Sequence, residues 1–213
     1  MKLLFKLFKR RPASLKMAAV IVAAALSLAA NAQEQPGFYL RQTALKTNLA
    51  ALPLLVANAA IELQPLEHWS LSVPVYYNAL DWFSYDAKFR TLATQPEIRY
   101  WLKGNLSGLF FNVHATFGWY NVAWGGDYRY QDYAGKSPAF GGGIGIGYKV
   151  ALGNGPWGLE LGLGGGFLPL HYDYYYNIRG GRIAGEDSRK YFGPDQAFVS
   201  LTYSFGKSKK TEL

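Results

Sequence analysis

Trp157-Gly158-Leu159-Glu160-Leu161-Gly162-Leu163 alternates a large apolar side chain with a glycine or a carboxylate. Successive side chains of an extended chain point to opposite faces, so one face here is greasy and the other is small or charged. A helix would mix the two sets. The stretch therefore reads as a strand between two unlike environments. Just upstream, residues 140–152 repeat the pattern: Ile144, Ile146, Tyr148, Val150 and Leu152 oppose Gly141, Gly143, Gly145, Gly147 and Lys149. Residues 109–119 set Leu109, Phe111, Val113 and Phe117 against Asn112, His114 and Thr116, and residues 197–205 set Val199, Leu201 and Tyr203 against Ser200, Thr202 and Ser204. Earlier segments follow the same rule less regularly. The alternation predicts eight strands, at 44–51, 57–64, 69–80, 90–102, 107–121, 137–152, 157–173 and 194–206. After Gln33 no apolar run approaches the length of a membrane-spanning helix.

A two-faced strand suits a soluble β-sandwich as well as a membrane barrel. Three features favour an all-β, eight-stranded, antiparallel up-and-down transmembrane β-barrel. Alternate connections are tight (65–68, 103–106, 153–156), whereas the others lengthen along the chain (52–56, 81–89, 122–136, 174–193). Short periplasmic turns and longer extracellular loops are the outer-membrane layout. Trp69, Trp101, Trp157 and Tyr203 gather towards one set of strand ends, and Tyr76, Tyr77, Trp119, Tyr120 and Tyr172–Tyr176 towards the other, as in interfacial aromatic belts. The polar faces carry Lys46, Glu62, Glu97, Arg99, Lys149 and Glu160, three cations and three anions. A narrow lumen filled by side chains can hold such a paired set, with Lys149 facing Glu160 across the 153–156 turn. Pro74, Pro96 and Pro169 fall inside these strands, and each implies a bulge or a strand end.

The 213-residue chain has 22 Lys+Arg, 14 Asp+Glu and no Cys. The excess of positive charge is local. Lys2, Lys6, Lys9, Arg10, Arg11 and Lys16 precede an apolar run and Ala30-Asn31-Ala32, with no acid among them. That is the layout of a cleaved secretory signal, expected over residues 1–32. A periplasmic segment (33–43), the barrel (44–206) and a polar tail (207–213) follow. The remaining charge nearly balances, which argues against a nucleic-acid partner. Without cysteine there is no thiolate metal site, cysteine nucleophile or disulfide framework.

Leu45-Lys46-Thr47-Asn48-Leu49, Gln95-Pro96-Glu97-Ile98-Arg99-Tyr100-Trp101-Leu102, Asn112-Val113-His114, Gly118-Trp119-Tyr120-Asn121, Asp127-Tyr128-Arg129-Tyr130 and Tyr191-Phe192-Gly193-Pro194 occur in that order. In them the chain resembles an uncharacterised Bacteroidetes-type family of small outer-membrane β-barrels. The resemblance implies a signal peptide, a barrel, residence in the outer membrane of a Gram-negative bacterium, and a role near fimbrial components at the cell surface. It makes Pro96 a family feature. Many members carry a cysteine pair in the last long loop, which this chain lacks, and the family brings no catalytic residues.

Chemical motifs are sparse. His114 points to the polar face and is expected opposite Gln95, as a hydrogen-bonded structural histidine. His171, Asp173 and Asp127 bind a metal only if loops converge. The alternating glycines of 141–147 and 162–166 lack the Lys-Ser/Thr and helix of a phosphate loop. No Gly-x-Ser-x-Gly nucleophile motif occurs. No catalytic set, cofactor or metal is expected. The richest surface is in the long loops, where Trp124, Tyr128, Arg129, Tyr130, Tyr174, Tyr175, Arg179 and Arg182 combine rigid aromatic area with hydrogen-bonding cations. These features predict a non-enzymatic anchor contacting outer-membrane lipid and lipopolysaccharide, whose loops meet a surface protein or fimbrial component or support the envelope. Two alternatives are a lipid-modifying enzyme using His114 or His171 as base, and a soluble periplasmic β-sandwich that binds a ligand. Oligomeric state cannot be read from the sequence.

Overall fold

The computed structural model describes residues 41–80, 86–135 and 137–205. The expected signal peptide, residues 33–40 of the N-terminal segment and the 207–213 tail lie outside them. Ten strands run in chain order: β1 (Gln42–Asn48), β2 (Ala57–Gln64), β3 (Trp69–Asn78), β4 (Ala87–Thr94), β5 (Glu97–Trp101), β6 (Gly108–Trp124), β7 (Tyr128–Asp132), β8 (Ala139–Ala151), β9 (Trp157–Tyr176) and β10 (Ile183–Phe205). Every pairing is antiparallel, and β10 pairs with both β9 and β1, so the sheet closes in a ring. The described residues contain no α-helix; two 3-10 segments, Leu49–Leu54 and Tyr133–Gly135, interrupt the strands.

The expected count of eight is corrected to ten because two strand positions are broken. β4 and β5 both lie between β3 and β6, and β7 and β8 both lie between β6 and β9. Proline explains where the breaks fall. Pro96 ends a strand, as expected. Pro74 and Pro169 lie within β3 and β9 with no register shift, yet each faces an interruption in a neighbour. The β3 ladder skips from Val75↔Thr94 to Ser72↔Glu97, so Pro74 and Pro96 share one gap. Pro169 sits between the last β8 pair, Gly142↔Phe167, and the first β7 pair, Asp132↔Tyr172. A residue without an N–H fits a closed ring only where a ladder rung is missing.

The two longest expected loops are also corrected. Strand β6 extends to Trp124, β9 to Tyr176, and β10 starts at Ile183 rather than near 194, so 122–136 and 174–193 are mostly paired strand. The residues from Ile183 to Gly193 are half-buried or exposed on both faces, which erases the alternation that marks a strand in sequence. The ring therefore has a turn end, holding the 65–68, 103–106 and 153–156 connections, and an extended end built from β6, β7, β9 and β10. The seam between β1 and β10 is short: six residue pairs, Thr43↔Phe205 to Asn48↔Ser200. Past it, Asn48 Nδ2 donates to Ala197 O at 3.1 Å and Asn48 Oδ1 accepts from Val199 N at 3.1 Å.

The apolar faces point outward. Leu163 is 68% exposed, Ile144 69% and Val113 63%, with Leu45, Leu71, Ile98, Phe111, Ile146, Val150 and Leu161 exposed beside them. The leucines and isoleucines do not meet between two stacked sheets. Among the described residues the interior holds one small, largely aromatic cluster, in which Trp101, Leu106, Phe110 and Phe198 are buried. Trp101 was expected in an interfacial belt; it is instead fully enclosed, 4.5 Å from the Phe110 ring, with its indole N–H donating to Ser70 Oγ at 2.8 Å. Inward-facing glycines make room for these rings: a Cβ at Gly162 would collide with the Phe198 ring, and one at Gly147 with that of Phe110. Gly162→Ala is expected to lower the unfolding free energy, read by urea titration, by about 1–3 kcal/mol through overpacking. Gly155→Ala, where a Cβ meets nothing within 4 Å, should stay within about 0.5 kcal/mol.

Candidate functional site

The six ionised residues expected inside the ring are all buried. Lys46 Nζ lies 2.7 Å from Glu62 and 3.4 Å from Glu160. Arg99 reaches Glu97 at 2.5 Å, Glu160 at 2.7 Å and Glu62 at 3.6 Å, and its guanidinium stands 4.4 Å over the Phe110 ring. Ser70 donates to Glu62 at 2.5 Å. Each ion meets opposite charge or a hydrogen-bond partner, which offsets the cost of taking it out of water. Lys149 does face Glu160 in register, but its ammonium donates to Ser204 Oγ at 3.2 Å, while Glu160 is held by Lys46 and Arg99. A space beside the network, lined by Ser72, Glu97, Arg99 and Gln196, measures about 20 Å³. That is the scale of a single water.

A relay continues from this network towards the extended end. Gln196 Nε2 donates to Glu97 Oε2 at 3.1 Å. A carboxylate only accepts, so the amide's oxygen faces Asn112, whose Nδ2 donates to it at 3.1 Å. Asn112 Oδ1 then lies 3.0 Å from His114 Nδ1, and His114 Nε2 lies 2.9 Å from Asp195 Oδ2. With Asn112 Oδ1 as the acceptor, His114 Nδ1 is the donor, and Nε2 faces Asp195 across the second contact. The expected neighbour is thus corrected: Glu97, not Gln95, stands opposite His114, and Gln95 donates to the Asp195 carbonyl at 2.9 Å. Strand β10 shifts register between Pro194 and Gln196, which turns Asp195 inward.

At the extended end the expected binding residues separate onto two faces. Strand β9 keeps register with β8 and β7, so Tyr172, Tyr174 and Tyr176 continue the inward face of Glu160. Tyr128 and Tyr130 join them, with ring centroids 5.5 Å from Tyr174 and 5.7 Å from Tyr172. Arg129 instead lies outside, 4.2 Å over the Tyr175 ring. Trp124 stands at the rim, 5.8 Å from Phe89, while Arg179 and Arg182 sit exposed in the turn between β9 and β10. Asp132 is buried on the inward face; its Oδ1 accepts from Tyr120 N at 3.1 Å and its Oδ2 has no partner. Burial, with Asp173 nearby, raises its carboxyl above the usual range.

A family model for a protein of unknown function (DUF3575) matches residues 18–205, which include all ten strands. The chain belongs to the DUF3575 family. No curated protein and no solved structure matches it. In this DUF3575 ring, no group of three His, Cys, Asp or Glu among the described residues is placed to hold a metal. His171 stacks on Tyr133 at 4.0 Å, and Asp173 accepts from Ala134 N at 2.9 Å. Sequence reasoning missed Asp195, because the bulge moves it off its alternating face. It also missed Asp132 and Tyr172 as neighbours, because it placed Asp132 in a loop.

Proposed function

We propose that this DUF3575 chain is an outer-membrane β-barrel of a Gram-negative bacterium, without enzymatic activity, that anchors a contact surface at the cell exterior. The carrying observation is the reversal of ordinary burial, with an apolar belt outside and paired ions inside. A soluble monomer rarely exposes so wide an apolar surface. Lipid is the solvent that suits it, and strands of about 9–11 residues suffice to cross. With the two broken positions each counted once, eight strands enclose the lumen, a number at which side chains fill the interior. Trp69 with Tyr100 and Trp157 with Tyr203, each pair 5.0 Å apart, supply an aromatic girdle at the turn end, which belongs to the periplasm in this reading. The filled interior favours an anchor over a pore. The extended end then faces outward, to lipopolysaccharide and to a surface protein, with a fimbrial component as one candidate.

Membrane fractionation with heat-modifiable gel migration tests the reading. The protein should pellet with outer membranes after signal-peptide cleavage and migrate faster unboiled than boiled. Recovery in the soluble periplasm without detergent would overturn it.

A further inference from the structure

The inward face of the extended end combines π faces with one uncompensated charge. Tyr120, Tyr130 and Tyr172 surround Asp132, which is 4% exposed. On that face Asp187 and Arg189 of β10 are opposite in sign and two residues apart, and Asp173 of β9, buried nearby, sets a like charge against Asp132. Asp187 is further engaged by the Tyr172 hydroxyl at 3.2 Å. Asp132 is met by backbone N–H groups, Tyr120 N on Oδ1 among them, and Oδ2 has no hydrogen-bond partner. A buried carboxylate oxygen without a partner is costly, and a water, an ion or a ligand group can complete it.

We propose that this tyrosine-walled mouth binds a primary alkylammonium group, seated on Asp132 Oδ2 and packed against the rings of Tyr130 and Tyr172. The alternatives fit the wall less well. A calcium ion takes six to eight oxygens, and the wall offers chiefly ring faces. A guanidinium makes its best contact as a fork on both carboxylate oxygens, and Oδ1 is already used. An ammonium is a compact charge that donates to one oxygen and gains from aromatic faces around it. A lysine side chain on a partner protein and a free small amine carry the same group. The inference deepens the reading of the extended end as the contact surface, and rests on it only for where the ligand comes from.

The purified full-length mature protein in maltoside micelles would be titrated with n-butylammonium, Nα-acetyl-lysine methylamide and the neutral n-pentanol, read by tyrosine ring NMR shifts. Both amines should saturate, and n-pentanol should bind at least tenfold more weakly. Tighter binding of the lysine derivative would favour a protein source; equal binding of the two amines would favour a free amine. Asp132→Asn should weaken amine binding at least tenfold, whereas Arg129→Ala, on the opposite face, should leave it unchanged. The amine needs the ionised carboxylate, so affinity should fall as pH drops through the raised Asp132 value. Equal binding of amine and alcohol, no saturation by either amine, or an Asp132→Asn variant that binds like wild type would overturn the proposal. The amine–alcohol comparison on wild type decides the matter even if Asp132→Asn does not fold. Failure here would leave the fractionation result standing, so the two readings can fall separately.

Discussion

Leu163→Arg is expected to destabilise the folded ring in lipid vesicles by about 2–4 kcal/mol, the cost of a cation near the middle of a bilayer-facing strand. Leu163 is 68% exposed, and its neighbours on the same wall include Ile144 and Leu161. On a water-facing surface the same change would be nearly neutral, within about 0.5 kcal/mol. The measurement is the urea midpoint of the refolded protein in vesicles, with Ile144→Arg as a second probe of the belt. Unchanged midpoints in both variants would mean that no lipid touches this face. The substitution removes no interior contact, so its effect reports on the surrounding solvent alone.

Arg99→Met should cost about 3–5 kcal/mol, because it strands buried carboxylates that the guanidinium now holds. Glu97, Glu62 and Glu160 all converge on Arg99, and among the described cations Lys46 alone would remain within 4 Å of Glu62 and Glu160. The same midpoint, together with loss of the fast-migrating unboiled band, reads the effect. Arg41→Ala is the control: Arg41 pairs with Glu67 at 3.2 Å where both are exposed, so about 0–1 kcal/mol is expected. A large loss for Arg99 beside a negligible one for Arg41 would show that enclosure, not pairing itself, gives the interior ions their weight.

The sequence made the wall legible where its two faces meet unlike surroundings. Ile144, Ile146 and Val150 against Gly143, Gly145 and Lys149 are readable because one set is exposed on an apolar belt and the other faces a crowded lumen. The ionised residues were legible for the same reason, and the register Lys149↔Glu160 follows from a short turn. Their partners were not, since Arg99 reaches Glu160 through space across strands distant in sequence. Glu186, Asp187, Ser188, Arg189 and Lys190 hid a strand, because all five are exposed and no alternation survives. Asp195 was hidden by a single extra residue, which reverses the face that parity assigns.

The join between first and last strands gives assembly an order. β1 and β10 are the first and last strands in chain order, so their six rungs carry the largest loop-closure cost until the intervening hairpins draw them together. Where β1 turns away, the Asn48 carboxamide takes the place of a peptide group, offering an N–H to Ala197 and an oxygen to Val199. One side chain thereby latches the ring past the last rung of its own backbone.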